Sequence, residues 1–247
     1  MLLIIGLFHG ANTEPRDVGN GDDTGFVLKS VRVDGRDRAY SVYVPPDYDR
    51  SREWPLIIFL HASGQIGRDG WRPTTSGIGP AIRSHPELFP CIVLFPQAPL
   101  RYVWTSESSW PRLAGNDATP IVDAELDEVL RDYTIDEDRI YLTGVSMGAH
   151  GTYYYGARRP DLFAALMPIS GHPRYQDASI LAALPIWIFH NAGDTRIDSE
   201  ESQHMAGLIA QDGGDVQITL YDSAAHNSWD RTYNDPEVIE WLLSQSR

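Results

Sequence analysis

The most reactive arrangement in this sequence is a serine between two glycines, Gly144-Val145-Ser146-Met147-Gly148. It follows the apolar run 139–143 directly and precedes a segment with helical spacing at 149–158. A serine at such a strand-to-helix turn projects its hydroxyl clear of the sheet, and the glycines let strand and helix approach without Cβ clashes. The pattern predicts a nucleophilic hydroxyl. The alternative is that Ser146 merely closes a turn, although such turns ordinarily use Asp, Asn or Thr caps with fewer glycines.

A serine hydroxyl needs a base to accept its proton and a third group to orient that base. In a strand-turn-helix architecture both partners follow the serine, on loops at the carboxyl ends of later strands. Asp194 comes shortly after the apolar run 186–189, and His226 comes shortly after the run 216–221. We therefore predict Asp194 as the acid and His226 as the base.

Other side chains compete for these two roles. Asp198 and Asp222 are rivals for the acid, but Asp198 is better explained as the N-cap of a helix that begins near residue 199. For His226, the alternative is an ordinary position in a surface loop. His190 ends a strand and is expected to support the turn, whereas His150, one helical turn after the serine, is expected to pack beneath it.

A further segment is suited to stabilising negative charge. The apolar run 56–60 opens into His61-Ala62-Ser63-Gly64. The backbone N–H groups of Ser63 and Met147 are the candidate donors to an oxyanion. A plain Gly-rich loop is the alternative interpretation.

The rest of the chain alternates between strand and helix patterns. Two β-rich segments, 26–33 and 38–44, flank Asp34-Gly35 and predict a hairpin. Six apolar runs without clean alternation predict strands buried on both faces: 55–60, 91–95, 139–143, 163–169, 185–189 and 216–221. Helical spacing between the runs, and a closing helix over 236–243, favour an α/β fold. We expect a mostly parallel eight-stranded sheet with helices on both faces and no large lid domain.

The composition fits one such domain, over residues 26–247, and excludes several kinds of partner. Of the 247 residues, 42% are hydrophobic, which is enough to fill one large core. The 34 acidic residues outnumber the 20 basic ones, and the net charge of -14 repels nucleic-acid phosphates and anionic lipid surfaces. The single cysteine, Cys91, lies in an apolar run, so we expect a buried thiol rather than a nucleophile.

Residues 1–25 are expected to form a mobile lead-in before the domain. The first eight residues are apolar, but they are too few to span a membrane and lack the basic start of a secretory signal. If the segment is the remnant of a signal, the protein is secreted or periplasmic. Otherwise the expected location is the cytoplasm.

Together these motifs resemble the α/β-hydrolase superfamily from about Tyr40 to the C-terminus. The chain is similar to its single-domain carboxylesterases, in the predicted phospholipase/carboxylesterase and peptidase-like group, near feruloyl esterases and polyhydroxyalkanoate depolymerases. The segments that carry the likeness are 43–48, 60–67, 135–144 and 226–230. The resemblance implies a triad of Ser146, His226 and Asp194. The chain departs from the group at Ala62 and Asn191, where glycine is usual.

The resemblance also implies an activity, the hydrolysis of small carboxylic esters through an acyl-enzyme, without a cofactor or metal. Because no long insertion provides a lid, we expect an open pocket for short or aromatic acyl groups. Trp229, Trp104 and His172 are the candidates to line it, although a tryptophan is equally well explained as core. Two alternatives stay open: a serine peptidase with the same triad, and a non-catalytic binding protein of the same fold.

Overall fold

An eight-stranded sheet forms the centre of the structure, a computed structural model that describes residues 24–105 and 115–247. The strands in these residues are β1 (Gly25–Val33), β2 (Arg36–Val44), β3 (Trp54–Leu60), β4 (Ile92–Phe95), β5 (Tyr102–Val103), β6 (Asn116–Asp117), β7 (Ile135–Val145), β8 (Ala165–Ile169), β9 (Ile186–Asn191) and β10 (Val216–Tyr221). The order in the sheet is β1-β2-β4-β3-β7-β8-β9-β10, and β5 pairs separately with β6.

The sheet is parallel from β4 to β10, and the β1–β2 hairpin adds to it in antiparallel fashion. The predicted hairpin turn is present at Asp34 and Gly35, whose φ angles are 50° and 72°. Strand β3 lies between β4 and β7, so the chain order reverses there. The carboxyl ends beside such a reversal are where open α/β sheets bind ligands. The expected ligand site therefore lies at the ends of β3 and β7.

Helices cover both faces of the sheet. They are α1 (Ile78–Ser84), α2 (Thr119–Asp132), α3 (Met147–Arg158), α4 (Ala178–Leu181), α5 (Ser199–Gln211), α6 (Trp229–Tyr233) and α7 (Pro236–Ser244). Residues of α2, α3 and α5 enter one buried cluster, and residues of α1, α6 and α7 enter another. Successive residues of β3 alternate between the clusters, since Leu56 and Ile58 belong to the first and Ile57 belongs to the second. This is why the strand runs read as uniformly apolar.

The structure confirms the expected fold and changes several boundaries. Strand β7 begins at Ile135, four residues before the apolar run, because Ile135 pairs with Trp54 across a register shift. The polar residues 136–138, between Ile135 and the apolar run, concealed this extension in the sequence. Helix α1 and the β5–β6 pair were not predicted. Residues 1–23, most of the expected lead-in, lie outside the described residues. None of the helices described is long and apolar enough to cross a membrane.

One buried carboxyl, that of Glu125 on α2, conflicts with the apolar core around it. The side chain is fully buried, and neither carboxyl oxygen has a hydrogen-bond partner among the residues described. Burial raises the pKa of Glu125 well above its usual value, and the nearby charge of Glu128 raises it further while Arg38 opposes the shift. Burial therefore favours the protonated form of this group in the folded protein.

We expect Glu125→Gln to stabilise the protein increasingly as the pH rises above the ordinary pKa of a glutamate. Above about pH 4.3 the unfolded chain releases the proton that the folded chain keeps, so wild-type stability falls by about 1.4 kcal/mol per pH unit up to the folded-state pKa. Glutamine removes that dependence without changing the shape. Urea unfolding at several pH values measures the effect, with the exposed Glu53→Gln as control. A gain that does not grow with pH would contradict a protonated Glu125.

Candidate active site

Ser146 occupies a strained turn between β7 and α3. Its φ and ψ are 55° and -114°, and its N–H donates to the carbonyl of Ile169 at 2.9 Å. A Cβ at Gly144 would overlap the carbonyl of Gly148, and a Cβ at Gly148 would overlap the carbonyl of Leu60. Both positions therefore require glycine, as the sequence pattern predicted. This close contact also presses the loop after β3 against the start of α3.

The structure brings the three predicted side chains together. The Nε2 of His226 lies 2.9 Å from Ser146 Oγ, and its Nδ1 lies 2.6 Å from Asp194 Oδ2. The carboxylate accepts a hydrogen bond from Nδ1–H, which leaves the Nε2 lone pair directed at the serine hydroxyl. The Asp194 side chain is fully buried and that of His226 is 11% exposed. Such an arrangement can transfer the serine proton to the imidazole.

Four donors surround the Asp194 carboxylate. Oδ1 accepts from the backbone N–H groups of Arg196 at 2.8 Å and Ile197 at 3.3 Å. Oδ2 faces His226 and also lies 3.3 Å from His190 Nε2. Burial alone would raise the pKa of Asp194, but the hydrogen bonds from His226 and the backbone outweigh it and keep the pKa below its ordinary value. The carboxylate is therefore ionised and fixed in orientation.

His190 was expected to support the turn, but its contact with the Asp194 carboxylate was not predicted. Its ring is completely buried, with Nε2 3.1 Å from the carbonyl of Ile197 and Nδ1 2.7 Å from Ser202 Oγ. The carbonyl can only accept, so Nε2 carries the proton, which also lies toward Asp194. Burial lowers the pKa of His190, which favours this neutral form. The feature of the sequence that could have indicated this contact is the four-residue spacing between His190 and Asp194 across the end of β9.

Hydrogen bonds join the loops after β9 and β10. One of them is made by a residue that differs from the one usual in the carboxylesterase group that the sequence resembles. Asn191, where glycine is usual, is buried and donates its side-chain amide to the carbonyl of Ala225 at 2.7 Å. The N–H of Gly193 donates to the carbonyl of Ser223 at 2.9 Å. These bonds hold the residue before His226 against the loop of the acid. Asn191 therefore supports the geometry of the site.

The rival acids occupy other positions. Asp198 accepts a hydrogen bond from the N–H of Glu200 at 3.0 Å and caps α5, as expected, whereas Asp222 is exposed after β10. Cys91 is fully buried, and burial raises the pKa of its thiol. Within residues 24–105 and 115–247, no group of three or more His, Cys, Asp or Glu side chains is placed to hold a metal ion.

The two candidate oxyanion donors both stand at the start of helical turns. Ser63 begins a single 3-10 turn (Ser63–Gln65) and Met147 begins α3. The first N–H groups of a helix have no carbonyl partner within it, and at Met147 the helix dipole adds positive character. Ala62 has φ and ψ of -73° and 170°, which any residue adopts, so its methyl group fits in place of the usual glycine.

Buried contacts hold the loop after β3 in place. The indole N–H of Trp104 donates to the carbonyl of His61 at 2.9 Å, and the N–H of Ala98 donates to His61 Nε2 at 3.0 Å. The Gln97 amide donates to the carbonyl of Gln65 at 2.8 Å. Trp104 is only 1% exposed, so the suggestion that it lines an open pocket is corrected. It is a core residue that supports this loop.

Of the other two pocket candidates, Trp229 contacts the triad directly and His172 contacts His150 on α3. The ring of Trp229 meets His226 edge to face, with centroids 5.4 Å apart, and is half-buried. His172 follows β8 and is also half-buried, and its carbonyl accepts a hydrogen bond from Nδ1 of the buried His150 at 2.5 Å. His150 thus packs beneath the nucleophile turn, as expected, and ties it to the loop that carries His172.

The doubly wound sheet, with a strained serine after β7 and acid and histidine loops after β9 and β10, defines an α/β-hydrolase. The chain belongs to the family described as "Putative esterase", whose model matches residues 30–231. This result confirms the resemblance found in the sequence.

Individual relatives agree with that membership. A thermostable esterase of known structure is 32% identical with a TM-score of 0.81, over 90% of this chain and 63% of that one. A bifunctional acetylxylan esterase/xylanase of Neocallimastix patriciarum is 28% identical over 183 residues, which are 72% of this chain but 24% of that protein. A ferulic acid esterase of Anaeromyces mucronatus shares the fold, with a TM-score of 0.65 at 14% identity over 95% of this chain and 96% of that one. This chain therefore spans about a quarter of the length of the curated relative.

Proposed function

We propose that the protein is a serine carboxylesterase that hydrolyses esters of short or aromatic acids through an acyl-enzyme. The observation that carries this proposal is the unbroken hydrogen-bonded series from Asp194 through His226 to Ser146, at 2.6 and 2.9 Å. Membership of an esterase family supports the choice of esters as substrates.

In the first half of the reaction, Ser146 Oγ attacks the ester carbonyl carbon while His226 Nε2 accepts its proton. The negative charge on the carbonyl oxygen is stabilised by the N–H groups of Ser63 and Met147. Asp194 stabilises the imidazolium that forms. The imidazolium then protonates the leaving alcohol oxygen as the carbon–oxygen bond breaks, which leaves the acyl group on Ser146.

In the second half, water replaces the alcohol. His226, neutral again, accepts a proton from a water molecule that attacks the acyl carbonyl, and the same two N–H groups stabilise the second oxyanion. The imidazolium returns its proton to Ser146 Oγ as the acid leaves. The transfers between Ser146 and His226 take place between groups that already lie within hydrogen-bond distance, so the triad itself needs little rearrangement.

The preference for short acyl groups rests on the segment between β8 and β9. It contains only 16 residues, 170–185, with one 3-10 turn and the single-turn helix α4, which is too little for a lid with a long acyl tunnel. Trp229, packed edge-on against His226, supplies an apolar wall beside the reacting carbonyl. The curated relative is named for acetylxylan, an acetyl ester.

A series of p-nitrophenyl esters tests this preference. We expect kcat/KM to be highest for acetate and butyrate and to fall at least about tenfold by dodecanoate, because a long chain would leave apolar surface in water. The corresponding acetanilide should react far more slowly if the enzyme is not a peptidase. Rates that rise steadily with chain length, or faster cleavage of the anilide, would overturn the proposal.

A further inference from the structure

Strand β10 forms one edge of the main sheet, with β9 as its single sheet neighbour among the described residues. Its residues, Val216–Tyr221, include no charged side chain and no proline. The strand at the opposite edge, β1, carries Lys29 and Arg32. Charged side chains and prolines are the usual means by which proteins keep a sheet edge from pairing with another chain. Of the two edges, that of β10 is therefore the one suited to adding a strand.

One face of β10 also exposes apolar surface at this edge. Val216, Ile218 and Leu220 point to the same face, because side chains alternate along a strand. Val216 is half-buried against the core cluster that includes residues of α5, whereas Ile218 and Leu220 are 37% and 38% exposed. In a chain with a net charge of -14, this uncharged strip is where two copies can approach with little repulsion.

The hydrogen bonds to β9 fix which backbone groups of β10 face outward. The carbonyls of Asp215 and Tyr221 accept hydrogen bonds, at 2.9 and 2.8 Å, from N–H groups of β9 and of the residue that follows it. Successive residues of a strand direct their backbone groups to opposite sides, so the odd-numbered residues face β9. The N–H and C=O groups that face outward belong to residues 216, 218 and 220. A strand that pairs here must align its own outward groups with these three residues.

A second copy of β10 meets this requirement about a two-fold axis. In an antiparallel pair centred on Ile218, this residue lies opposite Ile218 of the second copy, and Val216 lies opposite Leu220. All the outward backbone groups then meet, and the apolar side chains of both strands share one face. A register shifted by one residue toward the carboxyl end would set outward groups against inward ones and Asp215 against Asp222.

The register centred on Ile218 also brings opposite charges together. It places Asp215 opposite Tyr221 of the second copy. Within each chain the guanidinium of Arg231 lies over the ring of Tyr221, 4.2 Å from its centroid. Asp215 and Arg231 are both exposed, and neither forms an ion pair with another residue in the part of the chain that the structure describes. Two Asp215–Arg231 pairs, one at each end of the joint, would therefore complement the apolar centre.

We propose that the protein forms a symmetric dimer in which the β10 strands of two copies pair antiparallel, centred on Ile218, and join the two sheets into one. The edge fits a second copy of this chain because its backbone register, its apolar face and its charges are all self-complementary. The two strands run in opposite directions, so the loops that carry His226 lie at opposite ends of the joint. Each copy keeps its own triad.

Cysteine cross-linking tests the register of this pair. Opposite residues of a hydrogen-bonded antiparallel pair lie about 5.5 Å apart at Cα, within the range of a disulfide. Ile218→Cys should therefore give a covalent dimer of full chains when diamide oxidises the two thiols. Gln217→Cys is the matched control and should not, because its two copies would lie more than about 7 Å apart. The natural Cys91 is fully buried and should stay unreacted.

Sedimentation of the full chain measures the dimer without cross-links. We expect a dimer of the wild type at about 10 μM, where a complex of μM affinity is mainly formed, and a monomer of Ile218→Lys, whose two ammonium groups would meet at the axis. Asp215→Arg and Arg231→Asp should each raise the dimer Kd at least about tenfold, because each dimer loses two ion pairs. The double variant should restore the Kd. Leu28→Lys, at the 57% exposed site on β1, is the control and should stay dimeric.

Several outcomes would overturn the proposal, provided that circular dichroism shows each variant to be folded. A monomeric wild type excludes the dimer, and a dimer that survives Ile218→Lys must use another surface. Cross-linking of Gln217→Cys without cross-linking of Ile218→Cys would exclude the register. A double charge variant that dimerises no better than the single ones would exclude the Asp215–Arg231 pairs. Esterase activity of the wild type is independent of all these results, because each copy has a complete triad.

Discussion

Ser146→Ala is expected to lower kcat for p-nitrophenyl acetate by about 10⁴-fold or more, the scale seen when a triad nucleophile is removed. Without Oγ no acyl-enzyme forms, and the residual rate comes from the oxyanion donors and binding alone. The fold should persist, because alanine has the same Cβ as serine and so bears the same backbone strain at φ 55°. Steady-state rates and thermal unfolding measured on the same preparation check both statements.

Covalent labelling gives a second measurement of the same prediction. A fluorophosphonate should attach one equivalent to the wild type and none to Ser146→Ala, since the reagent reacts with an activated hydroxyl. Ser170→Ala is the matched control, because Ser170 also has a positive φ of 50° at the same edge, but its hydroxyl bonds to Ser228. It should label like the wild type. Undiminished labelling of Ser146→Ala would contradict the nucleophile assignment, because another hydroxyl would then be the activated one. Absence of labelling in the wild type would favour a non-catalytic protein.

Much of the fold could be predicted because its signals are local. Runs such as 56–60 are apolar at every position since both faces of the sheet are covered by helices, and turn residues such as Asp34-Gly35 mark where strands end. The placement of loops after parallel strands indicated where Ser146, Asp194 and His226 could meet. Their roles, and their order along the chain, came from the resemblance to α/β-hydrolases.

The features that were missed depend on contacts between distant segments. Strand β7 extends back to Ile135 because a neighbouring strand pairs with it, and nothing in its own polar sequence indicates this. Trp104 looked equally suited to pocket and core, and its burial together with its hydrogen bond to the His61 carbonyl identifies it as core. Asn191 looked like a defect in a glycine motif, yet its side chain bonds to the neighbouring loop. Such roles arise from tertiary neighbours rather than residue type.

Asp194→Asn is expected to reduce kcat by about 10³–10⁴-fold near neutral pH while leaving the fold intact. The amide oxygen can still accept the two backbone N–H bonds at the Oδ1 position, but its NH₂ group then faces His226 Nδ1. That contact favours the tautomer in which Nδ1 accepts and Nε2 carries the proton, so the imidazole cannot accept the proton of Ser146. The uncharged amide also gives less stabilisation to the imidazolium.

The rival carboxylates supply controls that share the same substitution. Asp198→Asn should keep near-normal kcat, because asparagine caps a helix about as well as aspartate, and Asp222→Asn changes only an exposed side chain. Near-normal turnover in Asp194→Asn together with a large loss in either control would move the acid to that residue. Losses of similar size in all three would indicate a general effect of negative charge at this edge of the sheet. Of the three carboxylates, only that of Asp194 lies within hydrogen-bond distance of His226 Nδ1. A loss of kcat confined to Asp194→Asn would therefore support a catalytic role for this contact.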